Sequence, residues 1–418
     1  MVSFGRRRHR APAGLAVAMA LVALFVAACS SSGGSPGSSG SSGNSASGSP
    51  IVLYGVTTYN NPANSLPEVN DGAQAAAKAI NAAGGINGHP LKVTVCDDNF
   101  NPNQAQQCAE AAVSNHAAAV VAANEFVDPN YFTTLDKAGI PLIQPCGCSQ
   151  TELSEKSSFP LDGALPALIY GDAAMLIKMG VKHPASLTCE TASCTYDSQL
   201  AQQAFKLAGV SLVRTVVSPL ASVDDTSAAA EAIAGGVDGV VISSSPQAIT
   251  KMIAGLRGAG FKGPIIQSSQ TFTSAVVKAV GDNTVGLYAS ATFDPPTDTS
   301  DQKVAQYISE MKAYESNPKL DLQSEASWMA VHAFATEAAS LKTVTAATVM
   351  QAFSNISCSK PLSPGLISPY CTQPPGLSSA PRVLNMSVRQ VVDKNGQLVV
   401  DGPFFNPISV LKAADTGS

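Results

Sequence analysis

This chain of 418 residues contains nine cysteines, and their spacing is the most informative feature for its possible chemistry. Cys29 follows a short apolar stretch, and the other eight lie further along the chain. An even number of cysteines in an exported protein favours disulfide bonds. The spacing predicts that neighbours pair in three cases: Cys96 with Cys108, Cys189 with Cys194, and Cys358 with Cys371.

Cys146-Gly147-Cys148 leaves two alternatives open. The two sulfurs could close a small disulfide ring around Gly147, or both could be free thiols. Free thiols would allow an extracytoplasmic thiol-redox or hydrolytic enzyme that uses Cys148, although redox motifs usually have a two-residue spacer. A zinc site is disfavoured because the chain has no Cys-x-x-Cys pair. We therefore predict no metal site.

Three other strings resemble functional motifs but stand in the wrong context. Residues 33–37 match the hydrolase nucleophile elbow without a preceding strand. Residues 258–263 match a dinucleotide fingerprint, but they follow a predicted helix and precede a strand, whereas a phosphate needs the reverse order. Asp97-Asp98 could bind a metal or an amine, yet such a pair after a strand more often caps the following helix or bonds backbone in the loop. We predict no cofactor and no enzymatic activity.

The elements around these residues alternate between strand and helix. Ile51–Val56 predicts a strand, Ala73–Ala83 a helix and Leu91–Val95 a second strand, which implies a parallel pair with a right-handed crossover. The alternation continues to Pro145 and restarts near Leu165. Repeated Ala-Gly joins end the predicted helices and lead into strands. The fold class is therefore α/β, with two doubly wound lobes.

The first 50 residues predict an exported and anchored protein. Arginines at positions 6–10 precede an apolar core, and residues 1–28 are typical of a signal peptide. Val-Ala-Ala-Cys places Cys29 in a lipobox-like string, so we predict lipidation of Cys29. Residues 29–50 are rich in Ser and Gly, as in a flexible tether. Removal of the four leader arginines lowers the formal net charge from -5 to -9, which argues against nucleic acid as a partner.

The segment Ala79–Leu91 carries a family resemblance. It reads Ala-Ile-Asn-Ala-Ala-Gly-Gly-Ile-Asn-Gly-His-Pro-Leu and leads through a strand to Asp97-Asp98. This string resembles the N-terminal signature of leucine/isoleucine/valine-type periplasmic binding proteins, the solute receptors of ABC importers. The likeness runs from about Ile51 to Ser290 and is weaker beyond. It implies two α/β lobes joined by three crossovers, with lobe 1 at 51–162 and 291–376 and lobe 2 at 163–290 and 377–411.

The resemblance also implies a ligand site on the loops that follow the strands. Lobe 1 matches the family's loops at 124–127 and 145–149, and lobe 2 matches them at 196, 243–245 and 269–270. The ligand-binding residues that follow from this match are Glu125, Phe126, Gly147, Cys148, Ser149, Tyr196, Ser244, Ser245, Ser269 and Gln270.

One position departs from the family pattern. The acid that commonly pairs with an amino acid's ammonium group falls at Ser269-Gln270, where this chain has neither Asp nor Glu. An unpaired buried ammonium is costly, although Glu125 or Glu190 could replace that acid. The preferred hypothesis is a small polar or partly apolar organic solute, with amino acids kept as one option.

The resemblance implies a receptor that captures this solute by hinge closure and presents it to an ABC permease. The protein is expected to be a monomer on the outer face of the cell membrane, touching the membrane only through its lipid anchor. A lipoprotein that senses a ligand without transporting it is the alternative within the same architecture.

Overall fold

The computed structural model describes residues 46–127, 130–281, 286–356, 377–394 and 396–415. The predicted signal peptide, the tether as far as residue 45, Cys29, Cys358 and Cys371 lie outside the described residues. The strands are β1 (Ile51–Thr57), β2 (Leu91–Asp97), β3 (Ala119–Ala123), β4 (Leu142–Pro145), β5 (Ser158–Phe159), β6 (Pro184–Thr188), β7 (Arg214–Val217), β8 (Gly239–Ser243), β9 (Ile265–Ser268), β10 (Leu287–Ala291), β11 (Arg389–Lys394) and β12 (Gln397–Val400).

Helices separate most of these strands in the chain. They are α1 (Pro67–Ala82), α2 (Pro102–Ser114), α3 (Asn130–Lys137), α4 (Ala164–Lys178), α5 (Ala192–Leu207), α6 (Thr226–Ile233), α7 (Pro246–Gly258), α8 (Ser274–Val280), α9 (Gln302–Tyr314), α10 (Leu322–Ala338), α11 (Ala346–Ser354) and α12 (Pro407–Asp415). Among the described residues, no helix has both the length and the apolar character needed to cross a bilayer.

The strands form two sheets within one compact unit. The first sheet has the order β2-β1-β3-β4-β5 and is parallel throughout. The second has the order β12-β11-β10-β9-β8-β6-β7, parallel except where β11 and β12 join antiparallel at one edge. Strands β3, β6 and β8 are buried along their whole length, as expected when helices cover both faces of a parallel sheet. The predicted α/β fold class is confirmed.

Several element bounds differ from the predicted ones for local reasons. Helix α1 begins at Pro67, six residues before the predicted start, because a proline suits the first helical turn. Helix α5 begins at Ala192, since the Thr191 hydroxyl accepts a hydrogen bond from Cys194 N at 3.2 Å and caps the helix. Tyr196 therefore lies within a helix and not in a loop. Strand β5 and helices α8 and α12 were not predicted.

The chain passes between the sheets three times, after β5, after β10, and between α11 and β11. The first two passages are joined by a buried hydrogen bond, in which Thr292 Oγ1 donates to Asp162 Oδ2 at 2.5 Å. A side chain at Gly163 would come within 2.7 Å of the Asn385 carbonyl oxygen, so the third passage packs against the first. The lobe boundaries predicted from sequence stay a prediction.

Helices α1 and α10 pack closely because α1 has a glycine at their contact. A Cβ at Gly72 would lie 2.0 Å from Ser324 O and 2.4 Å from Ser327 Oγ. Neither neighbour has room to move, since Ser324 is fully buried and Ser327 is almost so.

We therefore expect Gly72→Ala to lower the free energy of unfolding by about 1–3 kcal/mol, because overpacking forces the helices apart. Gly258→Ala is the matched control: Gly258 ends α7 and has no atom within 4 Å of a Cβ. Because alanine has a higher helix propensity than glycine, Gly258→Ala should not lower the free energy of unfolding. Urea denaturation of both variants measures the difference, and equal stabilities would show that α1 and α10 are not in tight contact.

Candidate functional site

A cleft lies where the carboxyl ends of the two sheets meet. It encloses about 530 Å³, with its solvent-open part included. Loops after β1, β2, β3 and β4 form one wall, and loops after β6, β7, β8 and β9 form the other. Ligands bind parallel α/β sheets at this edge. The lining residues are Asn64, Leu66, Phe100, Phe126, Cys148, Leu165, Cys189, Thr191, Ser193, Cys194, Asp197, Leu220, Ser243, Ser244, Ser245, Pro246, Ser268, Gln270 and Thr271.

Five of the residues predicted to bind the ligand line this cleft: Phe126, Cys148, Ser244, Ser245 and Gln270. Ser245 also caps α7, where its Oγ accepts a hydrogen bond from Ala248 N at 3.3 Å. The Ser244 hydroxyl oxygen is buried and has no hydrogen-bond partner among the described residues. It is therefore available to a bound molecule.

The other five lie beside the lining. Glu125 Oε1 accepts a hydrogen bond from Val127 N at 2.6 Å. Gly147 adopts a φ of 74°, and a Cβ there would lie 2.7 Å from the Ala164 methyl group. Ser149 Oγ accepts from Glu152 N at 3.1 Å, and Ser269 N donates to Ser290 O at 3.0 Å.

Tyr196 is the last of these five, and it lies behind the cleft wall in the apolar cluster that also holds Cys146 and Cys148. Its hydroxyl has no hydrogen-bond partner among the described residues, and burial raises the pKa of this group. The ligand-binding role of all ten residues stays a prediction.

Asp97 and Asp98 stabilise the loop at the mouth of the first sheet. Asp97 Oδ1 accepts hydrogen bonds from Asn99 N at 2.9 Å and Tyr59 N at 3.2 Å. Asp98 Oδ1 accepts from Thr58 Oγ1 at 2.5 Å and from Phe100 N at 2.9 Å. These contacts fit the backbone-bonding interpretation favoured from the sequence.

Three cysteine pairs lie with their sulfurs at bonding distance. These are Cys96–Cys108 at 1.90 Å, Cys146–Cys148 at 2.04 Å and Cys189–Cys194 at 2.04 Å. Two pairs face the cleft from opposite walls, through Cys148 on one side and Cys189 and Cys194 on the other. With its sulfur on Cys146, Cys148 has no free thiolate to offer as a nucleophile.

A buried carboxyl group supports the Cys146–Cys148 loop from behind. Cys148 N donates to Glu152 Oε2 at 2.6 Å, whereas Glu152 Oε1 has no partner among the described residues. Burial raises the pKa of Glu152 to about 8. The sulfurs of Cys146 and Cys148 and a Glu152 oxygen all lie within 4.8 Å of one another, but paired sulfurs are poor ligands because metals bind the thiolate form.

The cleft also contains an acid that the sequence analysis did not select. Asp197, on α5 one residue after Tyr196, lines the cleft with only 7% of its surface exposed. Its carboxyl group interacts with the Ser243 side chain, while its Oδ1 has no hydrogen-bond partner among the described residues. Burial raises the pKa of Asp197 to about 7. The early start of α5 at Thr191 is the signal that would have indicated this placement.

Neither acid proposed from the sequence occupies the lining. Glu190 is exposed, and its Oε2 accepts from Leu220 N at 2.9 Å. Glu125 is buried and bonds its own loop, as described above. The described lining contains no lysine and no arginine, so Asp197 is its one charged side chain.

Comparison with a family model and comparison with solved structures point to the same family and fold. A family model described as "Periplasmic binding protein" matches residues 54–373. A search among curated proteins found no match for this chain. The chain is similar in structure to a leucine-binding protein from Thermotoga maritima MSB8, at 14% identity and a TM-score of 0.70, with 86% of this chain and 99% of that chain covered.

Two further solved structures share the fold. One is a possible leucine/isoleucine/valine-binding protein from Rhodopirellula baltica SH 1, at 15% identity and a TM-score of 0.72, covering 87% of this chain and 98% of that one. The other is a solute-binding protein of an ABC transporter from R. palustris in complex with 4-hydroxybenzoate, at 16% identity and a TM-score of 0.67, covering 85% and 97%. At these identities the likeness shows the fold alone.

The raised pKa of Glu152 predicts how stability depends on pH. The folded state holds the proton up to about pH 8, whereas the unfolded state releases it near the ordinary glutamate value. The free energy of unfolding therefore falls as pH rises between these values, by up to about 1.4 kcal/mol per pH unit.

Glu152→Gln, which resembles the protonated form, should reduce this slope between pH 5.5 and 8.5. Exposed Glu231 on α6 provides the control Glu231→Gln, which should leave the slope unchanged. Urea denaturation at several pH values measures both. An unaltered slope in Glu152→Gln would mean that Glu152 is ionised in the folded protein.

Proposed function

Since the chain belongs to the periplasmic binding protein family, we propose that it is the extracytoplasmic solute receptor of an ABC importer. It captures a small polar organic solute between its two sheets and presents it to a membrane permease. The protein is a binding protein and not an enzyme. The observation that carries this proposal is the cleft formed by strand-end loops of both sheets.

The composition of the cleft suits a small solute. Small-molecule sites usually have apolar walls and a few directed polar groups. The apolar part here comes from Leu66, Phe100, Phe126, Leu165 and Leu220. The polar groups are mostly hydroxyls, together with the amides of Asn64 and Gln270 and the carboxyl group of Asp197.

Hydrogen bonds that cross the cleft support capture by closure. Ser65, in the loop after β1, donates from its N to Gln247 Oε1 at 3.3 Å, and Gln247 Nε2 donates to Ser65 O at 3.3 Å. Gln270 Nε2, after β9, donates to Cys146 O at 3.2 Å. These bonds break if the sheets separate about the passages near Asp162 and Thr292, so they favour the closed arrangement.

Two of the solved structures that share the fold suggest the class of solute. One relative is a leucine-binding protein, and another was solved with 4-hydroxybenzoate. Both compounds combine a small apolar body with polar ends. We propose a solute of this size and character for the present chain.

The location follows from the family and from the leader. Periplasmic binding proteins work outside the cytoplasm, and Cys29 after an apolar leader supplies a lipidation site. We propose that a lipid on Cys29 anchors the protein to the outer face of the cell membrane and that the Ser/Gly-rich segment up to residue 50 lets it reach its permease.

A solute screen tests the receptor proposal directly. Purified protein is heated with single compounds from four classes: amino acids, amides, urea-like compounds and small aromatic acids. A solute that binds only the folded state raises the melting temperature, and calorimetry then gives its affinity. We expect one class to raise the melting temperature and to bind with one-to-one stoichiometry. No shift and no heat with any class would contradict the proposal.

Closure predicts a role for Gln247 in affinity. Gln247→Ala removes both hydrogen bonds to Ser65 and should lower the affinity for the screened solute by roughly two- to tenfold, the usual range for such bonds. Exposed Gln202 on α5 gives the control Gln202→Ala, which should bind normally. Unchanged affinity in Gln247→Ala, measured by calorimetry, would show that this contact does not stabilise the bound state.

A further inference from the structure

We infer that Asp197 recognises a cationic amino group of the solute, so that the protein takes amines or amino-bearing compounds with an apolar body. The inference rests on the proposed receptor function and names the solute class. It begins from a side chain whose bonding is incomplete. Asp197 is more than nine-tenths buried, lines the cleft, and leaves Oδ1 without a partner among the described residues.

A buried carboxyl oxygen without a partner costs free energy that a bound donor can recover. The Ser244 hydroxyl oxygen, on the neighbouring strand-end loop, is also buried, unpartnered and part of the lining. Carboxylate and hydroxyl oxygens both accept hydrogen bonds from an ammonium group. An ammonium group carries the donors that either oxygen lacks.

Charge in the cleft favours a cation over an anion. The described lining has no lysine or arginine to pair with a carboxylate or phosphate of a solute. An anion would face the Asp197 carboxyl group in a cleft that closure makes drier, where like charges repel strongly. An ammonium group would instead pair with it.

The apolar side chains define the rest of the solute. Leu66, Phe100 and Phe126 come from the loops of the first sheet, opposite the wall that carries Asp197. A molecule that places its amino group at Asp197 can extend its carbon skeleton toward this apolar wall. The arrangement selects an amino group at one end and an aliphatic or aromatic body at the other.

The titratable surroundings of Asp197 contain no competing cation. On α4, the Asp172 carboxyl group interacts with Asp197, and on α5 the Tyr196 hydroxyl does so. The Ser243 side chain, at the end of β8, bonds to it. None of these described groups supplies a positive charge, so a cationic solute would meet no competing cation at Asp197.

Ionisation of Asp197 gives the proposal a pH signature. Its pKa of about 7 in the empty cleft means that a cation, which binds the ionised form, binds more tightly as pH rises through 7. Between pH 6 and pH 8 the ionised fraction, and with it the affinity for an amine, should rise about tenfold. A solute anion that accepted a proton from Asp197 would show the opposite dependence.

The test compares benzylamine, benzyl alcohol and benzoate, which share one ring, by calorimetry and melting temperature. A second set comprises leucine, 3-methylbutylamine and 4-methylpentanoate, which differ in their amino and carboxylate groups. We expect the amino-bearing members of each set to bind and those without an amino group to bind at least tenfold more weakly.

Asp197→Asn should lower the affinity for the amines at least tenfold and remove its rise between pH 6 and pH 8. Glu190→Gln, which removes the same charge from an exposed position of the same wall, should change neither. Circular dichroism and the melting temperature confirm that both variants are folded.

Binding of benzoate or benzyl alcohol with the affinity of benzylamine, or amine binding unaltered in Asp197→Asn, would overturn this inference and leave the receptor function standing. Binding of none of the six compounds, together with a negative solute screen, would overturn the receptor function and this inference with it.

Discussion

The direction of the parallel strands is the constraint on which the site depends. Each strand of a right-handed βαβ unit runs the same way, so the loops after the strands collect at one edge of the sheet. Here both sheets have such an edge, and the loops after eight strands line one cleft. The chemistry of the cleft is therefore set by the loops after the strands and by the first turns of helices such as α5. Buried strands such as β3 and β8 carry mainly Ala, Val and Ile.

The proposed closure requires passages between the sheets that are firm enough to define two halves and still permit their rotation. The hydrogen bond between Thr292 and Asp162 meets part of this need, because it joins two of the three passages inside the protein. Asp162 also accepts from Ala164 N at 2.8 Å, at the start of α4. Burial raises the pKa of Asp162, and these donors oppose that shift. Gly163 lets the third passage approach. The described parts of the three passages are thus held together by short contacts.

The sequence predicted the fold well because its signals are local. Strands β1 and β2 were predicted from the residues at which they begin, Ile51 and Leu91, since each is a short run with a strand pattern. The cleft was predicted only in part. Phe126, Cys148, Ser244, Ser245 and Gln270 follow strands directly and line it, whereas Asp197 escaped notice because it stands inside a helix. The cap at Thr191 is a local signal that could have been read from the sequence. The crossing of α5 over β6, which carries Asp197 to the cleft, is a tertiary fact that spacing along the chain does not contain.

In the proposed closure on an amino-bearing solute, Asp197 links solute recognition to closure in energetic terms. When the sheets approach, the cleft loses water and the carboxyl group loses its hydration, so closure without a solute is opposed. The cross-cleft bonds of Gln247 and Gln270 act in the other direction. A donor group bound to Asp197 offsets the cost of desolvating its carboxyl group and leaves the cross-cleft hydrogen bonds unchanged. The solute thus favours the closed form by its contact with one side chain, and by no more than the difference in its affinity for the two forms.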